Sequence, residues 1–127
     1  MATELICNEI TTEYEPVSME YHTIVSADTR EFFYTHFDCV GIIELIVDAS
    51  ASEEPVTLSI TTNVMSDPAQ NHITYEVGAG EVSLFGISSG KTGQSDGSLW
   101  FSIISESALT GLGIKLGAIK RRFVTAH

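Results

Sequence analysis

The sequence has few basic residues and few cysteines. Its 127 residues include six Lys and Arg against 17 Asp and Glu, which gives a formal charge of -11. A surface this acidic repels phosphate, so binding to nucleic acid over a broad face is not expected. Cys7 and Cys39 are too few for a disulfide framework and lack metal-ligand spacing. We expect two thiols, with one long-range bridge as the alternative.

Long apolar runs and targeting signals are also missing. The richest apolar segment, residues 41–47, is interrupted by Glu44 and falls far short of the roughly 18 residues that cross a membrane. The first ten residues carry two glutamates and no basic region, which is not typical of an export signal. We therefore expect no membrane segment and synthesis of a soluble protein in the cytoplasm.

What the chain does contain favours one β-rich domain over residues 1–127. Hydrophobic residues make up 43% of the sequence, enough for a single core. Alternation with period two is clearest over residues 55–62, where Val56, Leu58 and Ile60 fall on one face. Similar patterns predict further strands at residues 3–11, 20–26, 31–37, 41–48, 71–77, 81–88, 98–106, 112–120 and near residue 125.

Helical patterns do not appear. The nearest candidate, residues 104–119, contains three glycines, each of which costs a helix about 1 kcal/mol. Many short strands separated by turn residues predict an all-β fold with little helix. We expect an antiparallel β-sandwich of jelly-roll type with roughly eight to ten strands. Residues 1–20 alternate glutamates with apolar residues and predict either an edge strand or an arm that pairs with a neighbour.

Motifs for catalysis and cofactor binding fail on their spacing. Residues 86–92 have three residues between two glycines where a phosphate-binding loop has four. Ser88 and Lys91 have the spacing of acyl-enzyme serine chemistry but lie in a glycine-rich loop. His36 and Asp38 share a strand face, and two ligands do not make a metal site. We therefore expect a non-enzymatic protein with no catalytic residue, cofactor or metal ligand.

The charges are divided along the chain. All 17 acids precede residue 107, whereas four of the six cations, Lys115, Lys120, Arg121 and Arg122, lie in the last thirteen residues. The basic end could dock on the acidic sheet of its own molecule, or it could bind the acidic surface of the next copy, and assemblies of the second kind would weaken as salt rises. The alternatives are a solvated edge strand protected by Lys and Arg and, less favoured on so acidic a body, a basic tail that contacts nucleic acid.

Two segments are apolar on both faces of a strand. In residues 32–37, Phe32 and Tyr34 lie opposite Phe33 and Phe37, and residues 41–47 alternate in the same way. Such a strand is either buried on both sides or presents one face to a protein partner or a sugar. The predicted interface residues are Phe32, Tyr34, Lys120, Arg121 and Arg122.

These features favour a non-enzymatic structural protein that associates with copies of itself or with a larger lattice. A virion protein that decorates or cements a phage capsid has this general character, although no motif identifies one. The alternative is a carbohydrate-binding module or adhesin domain, whose stacking platform would come from Trp100, Tyr21, Tyr34 or Tyr75. A small β-barrel enzyme would need four scattered residues to converge: His36, Asp38, His72 and Glu76.

Overall fold

The described part of the chain forms ten β-strands arranged as two sheets packed together. The structure, a computed structural model, describes residues 2–10, 20–36, 42–61, 72–88 and 97–121. The strands are β1 (Thr3–Glu4), β2 (Cys7–Ile10), β3 (His22–Thr23), β4 (Arg30–His36), β5 (Ile42–Asp48), β6 (Val56–Thr61), β7 (His72–Val77), β8 (Val82–Ser88), β9 (Ser98–Ile104) and β10 (Lys115–Arg121). The helical content of these ranges is one 3-10 turn, Leu109–Gly111. The predicted all-β class with little helix is confirmed. No helix within the described ranges could span a membrane.

Each sheet is built mainly from antiparallel pairs. Sheet A has the order β1-β4-β9-β6-β7, and sheet B has the order β2-β10-β5-β8 with β3 also paired to β10. Two pairs are parallel, β1 with β4 and β2 with β10, so both sheets are mixed. The predicted sandwich is therefore confirmed at the level of two packed sheets, and the jelly-roll arrangement stays a prediction.

The N-terminal segment contributes a strand to each sheet. The single strand predicted over residues 3–11 is divided, because the chain leaves sheet A after β1 and enters sheet B at β2. Leu5 is buried at this crossing and its N–H donates to the carbonyl of Tyr34. Both strands thus pair within their own chain, as in the edge-strand interpretation. Residues 11–19 of the proposed arm, like the short strand near residue 125, lie outside the described residues.

The alternation predicted for two central strands fills the core. Leu58 of β6 pairs with Ile103 of β9, Ile60 pairs with Phe101, and all four side chains are buried. The Phe101 ring stacks on that of Phe33, with 5.5 Å between centroids. Large apolar side chains therefore meet at the middle of sheet A, where removal of any one would leave a cavity.

The edge strand β7 follows the predicted alternation less closely. Val77 is buried, but Tyr75 is 44% exposed although the alternation in residues 71–77 places it on the same inward face as Val77. At the sheet edge Tyr75 reaches toward the other sheet and packs against Phe85, with 5.0 Å between ring centroids. The ring therefore closes the side of the sandwich instead of filling its centre.

Candidate functional site

The outer surface of sheet B carries aliphatic side chains. Alternate residues of β5 are fully buried from Ile43 onward, so Ile42 and Ile46 point outward. The register of β8 places Leu84 directly opposite Ile46, and Val82 lies two residues away on the same face. On the other side of β5, the outward residue Ile119 of β10 completes the group. We define the aliphatic face as Ile42, Ile46, Val82, Leu84 and Ile119.

Three members of the aliphatic face are mostly exposed. Ile42 is 59% exposed, Val82 58% and Leu84 61%. Gly86 and Gly117 occupy outward positions of β8 and β10 beside them, and they contribute no side chain that could cover the aliphatic ones. Single exposed aliphatic residues are common on soluble proteins, whereas adjacent ones across three strands are typical of interaction surfaces.

Charged groups lie within and beside the aliphatic face. Glu44 of β5 points outward between Ile42 and Ile46. Asp48 of β5 lies opposite Lys115 of β10, and the N–H of Ser50 donates to Asp48 Oδ1 at 2.9 Å. Hydrogen bonds from Ser50 lower the pKa of Asp48, and the positive charge of Lys115 acts in the same direction. One of the C-terminal cations therefore interacts electrostatically with its own sheet.

The outer surface of sheet A is aromatic on one side. Phe33 and Thr35 of β4 are buried, so Phe32 and Tyr34 point outward. The register of β9 places Trp100 opposite Tyr34, and the two rings stack with 5.0 Å between centroids and 22° between planes. Phe32 is 46% exposed, and the Arg30 guanidinium lies 4.7 Å from its ring centroid.

Small hydroxylated side chains cover the rest of that surface. Trp100 Nε1 donates to Ser98 Oγ at 2.7 Å, which orients the indole along β9. Ser59 and Ser102 are buried although alternation points them outward. We define the aromatic face as Phe32, Tyr34 and Trp100 together with the adjacent hydroxylated residues Thr57, Ser59, Thr61, Thr74, Ser98 and Ser102.

The residues that a small enzyme would need are not brought together. His36 lies on β4 and His72 and Glu76 lie on β7, three strand spacings away, or about 14 Å. His36 Nε2 instead lies 3.8 Å from Glu4 Oε2, with both side chains about half exposed. Asp38 lies outside the described residues. In the part of the chain that the structure describes, no group of three or more His, Cys, Asp and Glu could hold a metal ion.

The predicted interface residues are divided between the two sheets. Phe32 and Tyr34 lie together on the aromatic face. Lys120 lies on β10 in sheet B, where it is half-buried at a position that pairs with the inward residue Ile43. The side chain of Arg121 and the whole of Arg122 lie outside the described residues, as does Cys39. An interface through these five residues stays a prediction.

Two features of these surfaces were missed at the level of sequence. Val82 and Leu84 alternate with Phe85 and Ile87, so residues 81–88 are apolar on both faces, and this pattern was a usable signal for the aliphatic face. The pairing of Tyr34 with Trp100 depends on the register between β4 and β9, which are far apart in the chain. Local periodicity does not determine that register.

Comparison with known proteins adds no further constraint. The sequence matches no protein-family model, no curated protein and no solved structure. The evidence on function therefore comes from the geometry of the two outer surfaces.

Proposed function

We propose that this chain is a non-enzymatic structural protein that associates with copies of itself, or with a larger protein lattice such as a viral capsid, through the aliphatic face. The observation that carries the proposal is the exposure of Ile42, Val82 and Leu84 on one sheet surface. An isolated soluble chain gains nothing by holding three such side chains in water, whereas an interface is stabilised when they are covered.

The magnitude of this stabilisation is modest. Fully burying one Val, Leu or Ile contributes roughly 1.5–3 kcal/mol, and more than half of that remains available for each of the three. Two copies that use the same face would gain roughly 5–10 kcal/mol before two costs: the entropy of association, which is several kcal/mol or more, and the desolvation of Glu44. The balance favours weak contacts that become strong when many are made at once, as in a lattice.

We assign the contact to the aliphatic face and not to the C-terminal cations, and two observations on those cations support this choice. Lys115 interacts with Asp48 of its own sheet, and Lys120 is half-buried. Each copy carries a formal charge of -11, so copies repel one another at low ionic strength. An apolar contact between such copies should tighten or hold as salt screens this repulsion, whereas a contact made by the C-terminal cations should weaken.

Sedimentation velocity over a wide range of protein and salt concentrations tests the proposal. We expect a concentration-dependent rise in mass that is maintained at high salt. A chain that sediments as a monomer at every concentration would contradict self-association, and a mass that falls steeply with salt would favour the C-terminal cations. The matched pair of variants for this experiment is Leu84→Lys on the aliphatic face and Thr74→Lys on the opposite sheet.

A further inference from the structure

We propose that the aromatic face is a binding site for an uncharged oligosaccharide. It lies on sheet A, on the opposite side of the sandwich from the aliphatic face, and the inference does not depend on self-association. Three properties of this surface carry it: stacked rings, adjacent hydroxyl groups and few charged groups beside the rings.

The rings provide the apolar part of the site. Tyr34 and Trp100 are half-buried on the outer surface and stack on each other, so each supports the ring of the other in one orientation. The hydrogen bond from Trp100 Nε1 to Ser98 Oγ removes a further degree of freedom. Sugar rings present faces of C–H groups that pack on aromatic surfaces, and a platform that is already ordered loses little entropy on binding.

The hydroxyl groups provide the polar part. On the side of Trp100 away from Tyr34, β6 contributes Thr57 and Thr61 and β7 contributes Thr74. Each hydroxyl donates one hydrogen bond and accepts two, which matches the donors and acceptors of a sugar. His72 and Glu76 are exposed on β7 and form the far border of this strip. A few polar groups beside apolar rings are what small-ligand sites commonly contain.

Charge complementarity selects the class of ligand. The strand residues that face outward from sheet A in the described ranges include one cation, Arg30, and two carboxylates, Glu4 and Glu76. Glu54 and Glu106 lie with Glu76 around the depression at Thr57. Arg30 already lies over the Phe32 ring. A phosphorylated or sulfated ligand would find little positive charge here on a chain of formal charge -11. A basic peptide would find few carboxylates beside the rings, because the depression lies at Ile104, four positions along β9 from Trp100. An uncharged, hydroxyl-rich ligand matches the surface.

The single tryptophan of the chain allows a direct test. Purified full-length protein is titrated with neutral oligosaccharides built of glucose, mannose, galactose or xylose, and separately with a sulfated oligosaccharide, while Trp100 emission is followed. We expect at least one neutral oligosaccharide to produce a saturable change. Calorimetry with the same sugar should show about tenfold weaker binding for Tyr34→Leu, which keeps an apolar side chain but removes the ring.

Tyr21→Leu is the matched control, because Tyr21 is 46% exposed and lies outside the aromatic face. It should bind the sugar as the unmodified chain does, and thermal unfolding should show that both variants are folded. The inference is overturned if no neutral oligosaccharide binds, if only the sulfated one binds, or if Tyr34→Leu binds normally. It is also overturned if Trp100 emission changes with protein concentration alone, since a second copy would then cover the face.

Discussion

Replacing Leu84 by lysine changes the most exposed member of the aliphatic face without disturbing the core. Leu84 is 61% exposed, so the isolated chain gains little from it, and the free energy of unfolding should change by no more than about 0.5 kcal/mol. In the proposed assembly, Leu84 contributes through its contact with a neighbouring copy. Burying the remaining 61% of a leucine contributes roughly 1–2 kcal/mol.

A contact in which two copies use the same face loses this contribution twice. The expected loss is therefore roughly 2–4 kcal/mol, which weakens association by about 30- to 1,000-fold. Desolvation of the introduced ammonium groups adds to this loss, whereas their positive charge lessens the repulsion between copies, an effect that the control Thr74→Lys shares. Sedimentation velocity at a concentration where the unmodified chain is associated should show mostly monomer for Leu84→Lys.

Thr74→Lys makes the same change of charge at an exposed position of the edge strand β7. It should leave the association constant within a few-fold of that of the unmodified chain. Equal effects of the two variants would show that net charge, and not the aliphatic face, controls association. An unchanged association constant for folded Leu84→Lys would refute the reasoning.

Three further predictions concern the stability of the sandwich. Phe101→Ala removes the buried ring that stacks on Phe33, and it should lower the free energy of unfolding in urea by about 3–5 kcal/mol; a loss below about 1 kcal/mol would contradict the described core. Asp48→Asn should lower the free energy of unfolding at neutral pH. The pKa of Asp48 is lowered in the folded chain, so its ionised form stabilises the fold at pH values above the pKa of the unfolded chain, about 3.9. In thermal melts, the stability difference between the unmodified chain and Asp48→Asn should disappear as the pH falls through the pKa of Asp48 in the folded chain. A difference that grows toward acid would mean that the pKa of Asp48 is raised by folding and not lowered. Gly113→Ala should lower stability more than Gly80→Ala in paired denaturant titrations. Both glycines have positive φ, +66° at Gly113 and +78° at Gly80. Of the two, only Gly113 has a neighbour that the added Cβ would meet, Ala51 Cβ at 3.3 Å. Equal losses of stability for the two variants would show that Ala51 moves aside at no measurable cost.

Strand positions could be predicted from the sequence because their causes are local. In β6 and β9 the side chains alternate between a buried and an outer face, and period-two patterning reports this alternation directly. For Tyr75, the alternation does not predict the burial that is observed. Its place in the alternation is inward, but β7 is an edge strand, and whether a strand is at an edge depends on pairing over the whole chain.

Predicting the candidate surfaces would also have required knowledge of which strands pair. Residues 41–47 and 81–88 are each apolar on both faces, which indicates surplus apolar area but not where it lies. Only the pairing of β5 with β8 shows that Ile46 and Leu84 are neighbours on one outer surface. Likewise, Tyr34 and Trp100 are 66 positions apart in the numbering and become a stacked pair through the register of β4 with β9.

The most direct test of the central claim is to measure whether the aliphatic face is covered when the protein associates. Methyl signals of Ile42, Val82 and Leu84 would be followed by NMR with a soluble paramagnetic agent, at protein concentrations below and above the association midpoint. Ile6, which is 60% exposed where the chain crosses between the sheets, is the internal reference. We predict strong paramagnetic broadening of all four residues in the monomer and selective protection of the three face residues in the assembly. Equal broadening of all four residues at both concentrations would contradict the claim.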